Sequence, residues 1–180
     1  MNSPRHFHPV LRLVHWLMAL LIMAMLFIGV GMVSTVSSLH ETLISLHKPL
    51  GIALLLLVVV RLYLRFRYPT PALPAQLPAA QKRVAYLSHW LLYALMLLQP
   101  LLGWAMLSAA GYPITLWAGF TLPPLLGKNI DLYALLCPAH TWVALLLFIA
   151  ILAHLTAALF HALILRDGVF SSMSGNKHRG

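Results

Sequence analysis

Acidic residues are almost missing from this chain. Its 180 residues include three, Glu41, Asp131 and Asp167, and only 8% of the chain is charged. Soluble domains carry about 25% charged residues, so a water-soluble fold is excluded. No Glu lies inside the long apolar runs. That removes a di-iron carboxylate bundle, which needs inward Glu residues, and a carboxylate proton relay. A single cysteine, Cys137, rules out an internal disulfide and a cysteine-ligated cluster within one chain. At the mouth of an apolar run it reads as a small packing residue.

What is present is apolar. Hydrophobic residues make up 61% of the chain and the mean hydropathy is +0.88. Four long runs, at about 10–33, 46–66, 85–108 and 138–165, are each long enough to cross a hydrocarbon slab of about 30 Å. The expected fold is all-α, an integral membrane four-helix bundle forming one domain over residues 1–180. The first run is longer than the about 7–15 residues of a signal-peptide core and lacks a small-residue cleavage site, so it is expected to be retained as a helix. Pro49 is read as lying in the first turn of the second helix, where a missing N–H costs little. Pro100 predicts a kink in the third.

The connections differ in character. Residues 34–45 are Ser/Thr-rich and read as a loop. Pro69, Pro71, Pro74 and Pro78 make the next linker extended and semi-rigid. Residues 109–137 read as a long apolar and aromatic loop, lying on the membrane surface or capping the bundle. The polar tail from Asp167 is expected to be poorly ordered.

The formal charge of +9 looks like a nucleic-acid signal, but the basic residues flank apolar spans, so no nucleic-acid partner is expected. Arg5, Arg12, Arg61, Arg65, Arg67, Lys82, Arg83, Arg166, Lys177 and Arg179 fall at one end of the bundle, and Lys48 and Lys128 at the other. The positive-inside rule then places both termini in the cytoplasm. On the outer side Lys48 and Lys128 face Glu41 and Asp131, a formal balance of zero.

Histidines carry the chemistry. His140 and His154 are 14 residues apart on the fourth run. That is about 21 Å along a helix, with an azimuthal difference of about 40°, so both imidazoles point to one side. Ionisable groups in spans are costly and mark functional sites. With both termini inside, His47 starts the second helix at the depth of His140, and His15 enters the first helix toward the depth of His154. Two stacked bis-histidine sites follow, His47/His140 outer and His15/His154 inner. Imidazole is a common axial ligand of haem iron, and bundles build cofactor sites from inward side chains on facing helices. A non-redox, histidine-rich metal-binding bundle is the alternative.

Arg61 is 14 residues after His47 and reaches the depth of the inner site, where it can pair with a haem propionate or act as a membrane anchor. His89 lies near the same depth, as a hydrogen-bond partner of a propionate or quinone, or as an inter-helix polar group. Trp16, Trp90 and Trp142 sit near helix-end histidines, packing on a cofactor or belonging to the interfacial belt.

Four stretches, LRLVHWLMA, SLHKPLGIALLLLVVVRLYLRFRYPTP, LSHWLLYALMLLQPLLGWAM and AH…AHLTAALFH, cover most of the chain in order. They resemble the bacterial cytochrome b561 family, which is related to the cytochrome b subunits of hydrogenases. The likeness is to its short four-helix di-haem type, a superoxide:ubiquinone oxidoreductase. The resemblance implies two b haems on His15, His47, His140 and His154, and ubiquinone as acceptor with superoxide as donor. It also favours a quinone or proton-relay role for His161, otherwise an interfacial histidine. The implied location is the bacterial inner membrane. A cytochrome b subunit that takes electrons from a partner dehydrogenase or hydrogenase is the rival reading, with the 109–137 loop as its docking surface.

Overall fold

The computed structural model describes residues 6–116 and 119–175. Arg5, Lys177 and Arg179 of the basic count lie outside them. Four long helices dominate: α1 Pro9–Ser34, α2 Ser38–Arg67, α3 Ala79–Ala110 and α4 Ile130–Phe160. A π turn, His161–Leu165, continues α4, and a short α5, Val169–Ser174, ends the described chain. All four long helices are apolar and long enough to cross a membrane. No β-strand occurs among the described residues, so the all-α four-helix expectation holds.

Three helices begin earlier than expected, α3 at Ala79 and not at about 85, and α2 and α4 by about eight residues each. Residues 38–45 are not a loop: Ser37 caps α2 by accepting from the Leu39 N–H, with Glu41 in the first turn. A carboxylate there complements the positive end of the helix dipole. α4 starts at Ile130 and not at Pro138; Asn129 Oδ1 accepts from the Leu132 N–H at 2.9 Å, and Asp131 lies in the first turn. Pro49 and Pro138 are therefore interior residues. In water each would cost about 3 kcal/mol; inside a packed membrane bundle neighbours can satisfy the freed carbonyl. α3 also stays helical through Pro100. The 30 residues of α2 span about 45 Å, so its first turns project past a slab of about 30 Å.

The helices pack as two hairpins. α1 lies against α2 and α3 against α4, with a lesser α2–α3 contact between them. One core cluster joins Val14, Met18, Val58 and Tyr93; a second joins Leu92, Leu95 and Leu147. Met96 packs against both, so α3 is the common wall. Outward Leu, Val and Phe side chains such as Phe27, Leu56 and Ile149 remain exposed, as a lipid-facing surface requires. At the α1–α2 turn, a Cβ on Gly31 would stand 2.9 Å from Leu43 Cδ1, so the helices approach closely there and the Leu43 side chain would have to shift to admit one.

The long connection is shorter than expected and folds back on α3. Gly111 ends α3 in the left-handed region at φ 77°. Leu125 N–H donates to Ser108 Oγ at 3.0 Å, and Trp104 Nε1 donates to the Pro123 carbonyl at 3.1 Å. The tail is also ordered through Gly175, against expectation. Arg12 donates from Nε to the Met173 carbonyl at 3.1 Å and from Nη2 to the Ser174 carbonyl at 2.8 Å. These are the open carbonyls of the α5 C-terminus, a natural seat for a guanidinium. The Phe7 N–H donates to the Ser172 carbonyl at 3.0 Å. The first and last described segments thus meet at one end of the bundle, called here the terminal end; the α1–α2 turn lies at the loop end.

Candidate functional site

The histidines meet in two layers. At the loop end the rings of His47 on α2 and His140 on α4 lie 6.4 Å apart, centre to centre. At the terminal end the rings of His15 on α1 and His154 on α4 lie 6.3 Å apart. α4 serves both layers, as its 14-residue step requires. Both helix starts moved outward by two to three turns, so His47 and His140 are interior rather than terminal residues, yet they still face each other. Neither α1 and α4 nor α2 and α4 pack closely along their backbones. The imidazoles meet between helices that stand apart.

The donor set suits axial ligation of a planar tetrapyrrole. Two imidazoles trans to one metal, at about 2 Å per metal–nitrogen bond, hold their ring centres about 6 Å apart. Both pairs match that separation. A cation without a porphyrin would need more donors than two, and no cluster of three or more His, Cys, Asp or Glu suited to an ion occurs among the described residues. Several buried nitrogens also lack partners: His47 Nδ1, His140 Nδ1 and Arg61 Nη1. Buried donors without acceptors are expensive in a fold of its own, and they are common at sites that hold a cofactor.

The other predicted residues separate by location. His89 joins the terminal layer: its ring is 5.4 Å from that of His154, and its Nδ1 bonds back to the Ala85 carbonyl. That separation is shorter than the 6.3 Å between His15 and His154. Arg61 donates from Nε to Tyr93 Oη at 3.1 Å. Its free Nη1 offers a charged donor of the kind that recognises carboxylates. His161 stands apart from both layers; its Nδ1 lies 2.7 Å from Asp167 Oδ2. Arg166, at φ 50° and thus strained for a non-glycine residue, turns the chain so that Asp167 reaches back. Trp142 is 69% exposed and faces outward, whereas Trp90 stacks among Phe66, Tyr86 and Tyr93.

Sequence reasoning missed three residues. Tyr93 holds Arg61 from another helix, and no local pattern announces it. Gln99 donates from Nε2 to His140 Nε2 and to the His140 carbonyl, each at 3.1 Å. Its signal was present, since a Gln in mid-span is a rare and costly polar group. Gly103, one turn later on α3, is the third: a Cβ there would meet His140 Cε1 at 3.1 Å.

Fold and site together define a multi-pass membrane bundle that pairs imidazoles between its helices at two depths. A family model described as prokaryotic cytochrome b561 matches residues 6–176, and the chain belongs to that family. It is 35% identical over 141 residues to "Cytochrome b561 homolog 1" of Escherichia coli strain K12, covering 78% of this chain and 77% of that protein. It is 31% identical over 134 residues to "Probable superoxide oxidase CybB" of Yersinia pestis, covering 73% and 74%. "Cytochrome b561 homolog 2" of Escherichia coli strain K12 is 29% identical over 180 residues, covering 97% and 94%. Membership makes this a bacterial multi-pass membrane protein of electron transfer that binds haem b.

Proposed function

We propose that the chain is a two-haem electron conduit of the bacterial inner membrane, a single domain with both termini in the cytoplasm. It oxidises superoxide at the loop end and reduces ubiquinone at the terminal end. The observation that carries this reading is the pair of matched imidazole separations, 6.4 and 6.3 Å, on one helix. Bound haem supplies a one-electron iron couple in each layer. His47 and His140 would hold the outer group, His15 and His154 the inner one. With two histidines per iron no coordination position is left for O₂, which favours electron transfer past the porphyrin edge over chemistry at the metal. A relative named as a probable superoxide oxidase supports superoxide as donor.

Two superoxide anions give up two electrons and leave as O₂; ubiquinone takes those electrons and two protons to become quinol. Arg61, held by Tyr93, would offer its free Nη1 to a carboxylate of the inner group. His89 orders the inner layer from α3 against His154. His161 and Asp167 share a hydrogen bond that can hold and pass a proton at the terminal end. Asp167 also lines a cavity of about 840 Å³ between the proline-rich linker and the end of α4, with Gln76, Gln81 and Phe160 among its walls. That volume lies in the range of small-molecule sites, and we assign it to the quinone head.

A partner dehydrogenase as donor is the second reading. The exposed Tyr112 and Phe120 of the α3–α4 connection favour it. Stopped-flow mixing of superoxide with the purified chain, with no other protein present, separates the two. Reduction of the haems supports superoxide as donor. Iron that stays ferric removes it and leaves the partner.

A further inference from the structure

At the loop-end layer three buried polar atoms lack partners, His47 Nδ1 among them, and the other two belong to side chains already in contact. One is His140 Nδ1, the other Gln99 Oε1. The Gln99 amide nitrogen donates to His140 Nε2, so a neutral ring carries its proton on Nδ1. The ring thus has an unused donor and the amide an unused acceptor. A half-turn about the last bond of Gln99 sets its oxygen where the nitrogen now stands, and a turn of the imidazole about Cβ–Cγ exchanges the ring edge bearing Nε2 for the edge bearing Nδ1 at that place. The ring edge bearing Nδ1 also faces the helix that carries Gln99. A Cβ at Gly103, one turn along α3, would lie 3.1 Å from Cε1 and 3.5 Å from Nδ1.

We propose that Gln99 is the positioning residue of the loop-end haem: when the His140 ring turns to give Nε2 to iron, its Nδ1 edge comes round to Gln99 and the amide oxygen accepts the Nδ1 proton. The inference rests on the haem reading above and adds a residue to it. A metal-bound imidazole nearly always passes its second N–H to an acceptor, which fixes the ring and strengthens it as a donor. A stronger donor favours ferric iron, so this contact sets the potential of one haem and not the other.

The test is a redox titration of the purified, haem-loaded full chain, followed by visible and electron paramagnetic resonance spectra. Gln99→Met removes the acceptor at nearly constant volume; Gln99→Glu supplies a stronger one. The midpoint of a single haem should rise in the first variant and fall in the second. The affected haem should be the one that His140→Ala abolishes, and its affinity in Gln99→Met should fall about 10- to 100-fold. Shifts of the same sign in both variants, or no shift, would overturn the proposal, because a packing role would not distinguish an acceptor from its removal. Should Gln99→Met shed that haem, the direction of the Gln99→Glu shift decides alone. A wild-type chain without a loop-end haem would overturn the haem reading as well, and so is told apart from failure of the Gln99 assignment.

Discussion

The two imidazole layers are alike in spacing and unlike in everything around them. Three helix-interior prolines cluster by the loop-end layer: Pro49 two residues after His47, Pro138 two before His140, and Pro100 next to Gln99. Each removes a backbone donor and frees a carbonyl. Gly103 adds close access to the His140 ring. The terminal layer has no proline in its helices near His15 or His154. It has charge and rings: Arg61, Tyr93 and His89, with Arg65 5.9 Å from the Tyr93 ring centre. One layer is shaped by backbone irregularity and small residues, the other by cations and their partners. A single helix therefore presents the same side chain twice in two different settings.

The largest expected effect comes from taking one ligand from each layer. His140→Ala should remove the loop-end haem and spare most of the terminal one, and His154→Ala should do the reverse. Pigment analysis of each variant checks this; loss of both haems, or of neither, breaks the pairing. Next, His161→Phe or Asp167→Asn should slow quinol formation by about 10²- to 10⁴-fold, the usual worth of acid–base catalysis. Haem content and superoxide-driven reduction should stay as they are. Equal slowing of all steps would place the dyad outside the quinone reaction.

Smaller changes sharpen the contrast. Gly103→Val should cost about 1–3 kcal/mol through overpacking against His140 and weaken the loop-end haem alone, as haem release at constant temperature would show. An equal effect on both haems would mean that α3 sets both layers. Smallest is Gly175→Ala. It puts a Cβ where φ is 80° and within 1.7 Å of Arg12 Nη2, so the guanidinium must leave the α5 carbonyls. A loss of about 1–3 kcal/mol is expected, read as faster proteolysis of the C-terminal end with haem content unchanged.

Most of this architecture was legible in the sequence because a helix is rigid. Fourteen residues fix both a height and a direction, so His140 and His154 could be assigned partners before any coordinates. The rings of His47 and His140 lie side by side despite the wrong helix starts, since Pro49 and Pro138 misled by similar amounts at the same end. They misled because a proline in a soluble helix usually marks its first turn, a rule that a packed membrane bundle relaxes. What stayed hidden depends on distant contacts. Tyr93 meets Arg61 only through the α2–α3 packing. The return of α5 onto Arg12 joins positions more than 160 residues apart. Asp167 read as part of a polar tail until the left-handed turn at Arg166 brought it to His161.

The central claim is that two pairs of imidazoles, one in each layer, bind two b haems. Its most direct test is pigment analysis of the purified chain, joined to a reduced-minus-oxidised visible spectrum. Two haems b per polypeptide with b-type bands are expected. One haem per chain, or a colourless protein, would contradict it.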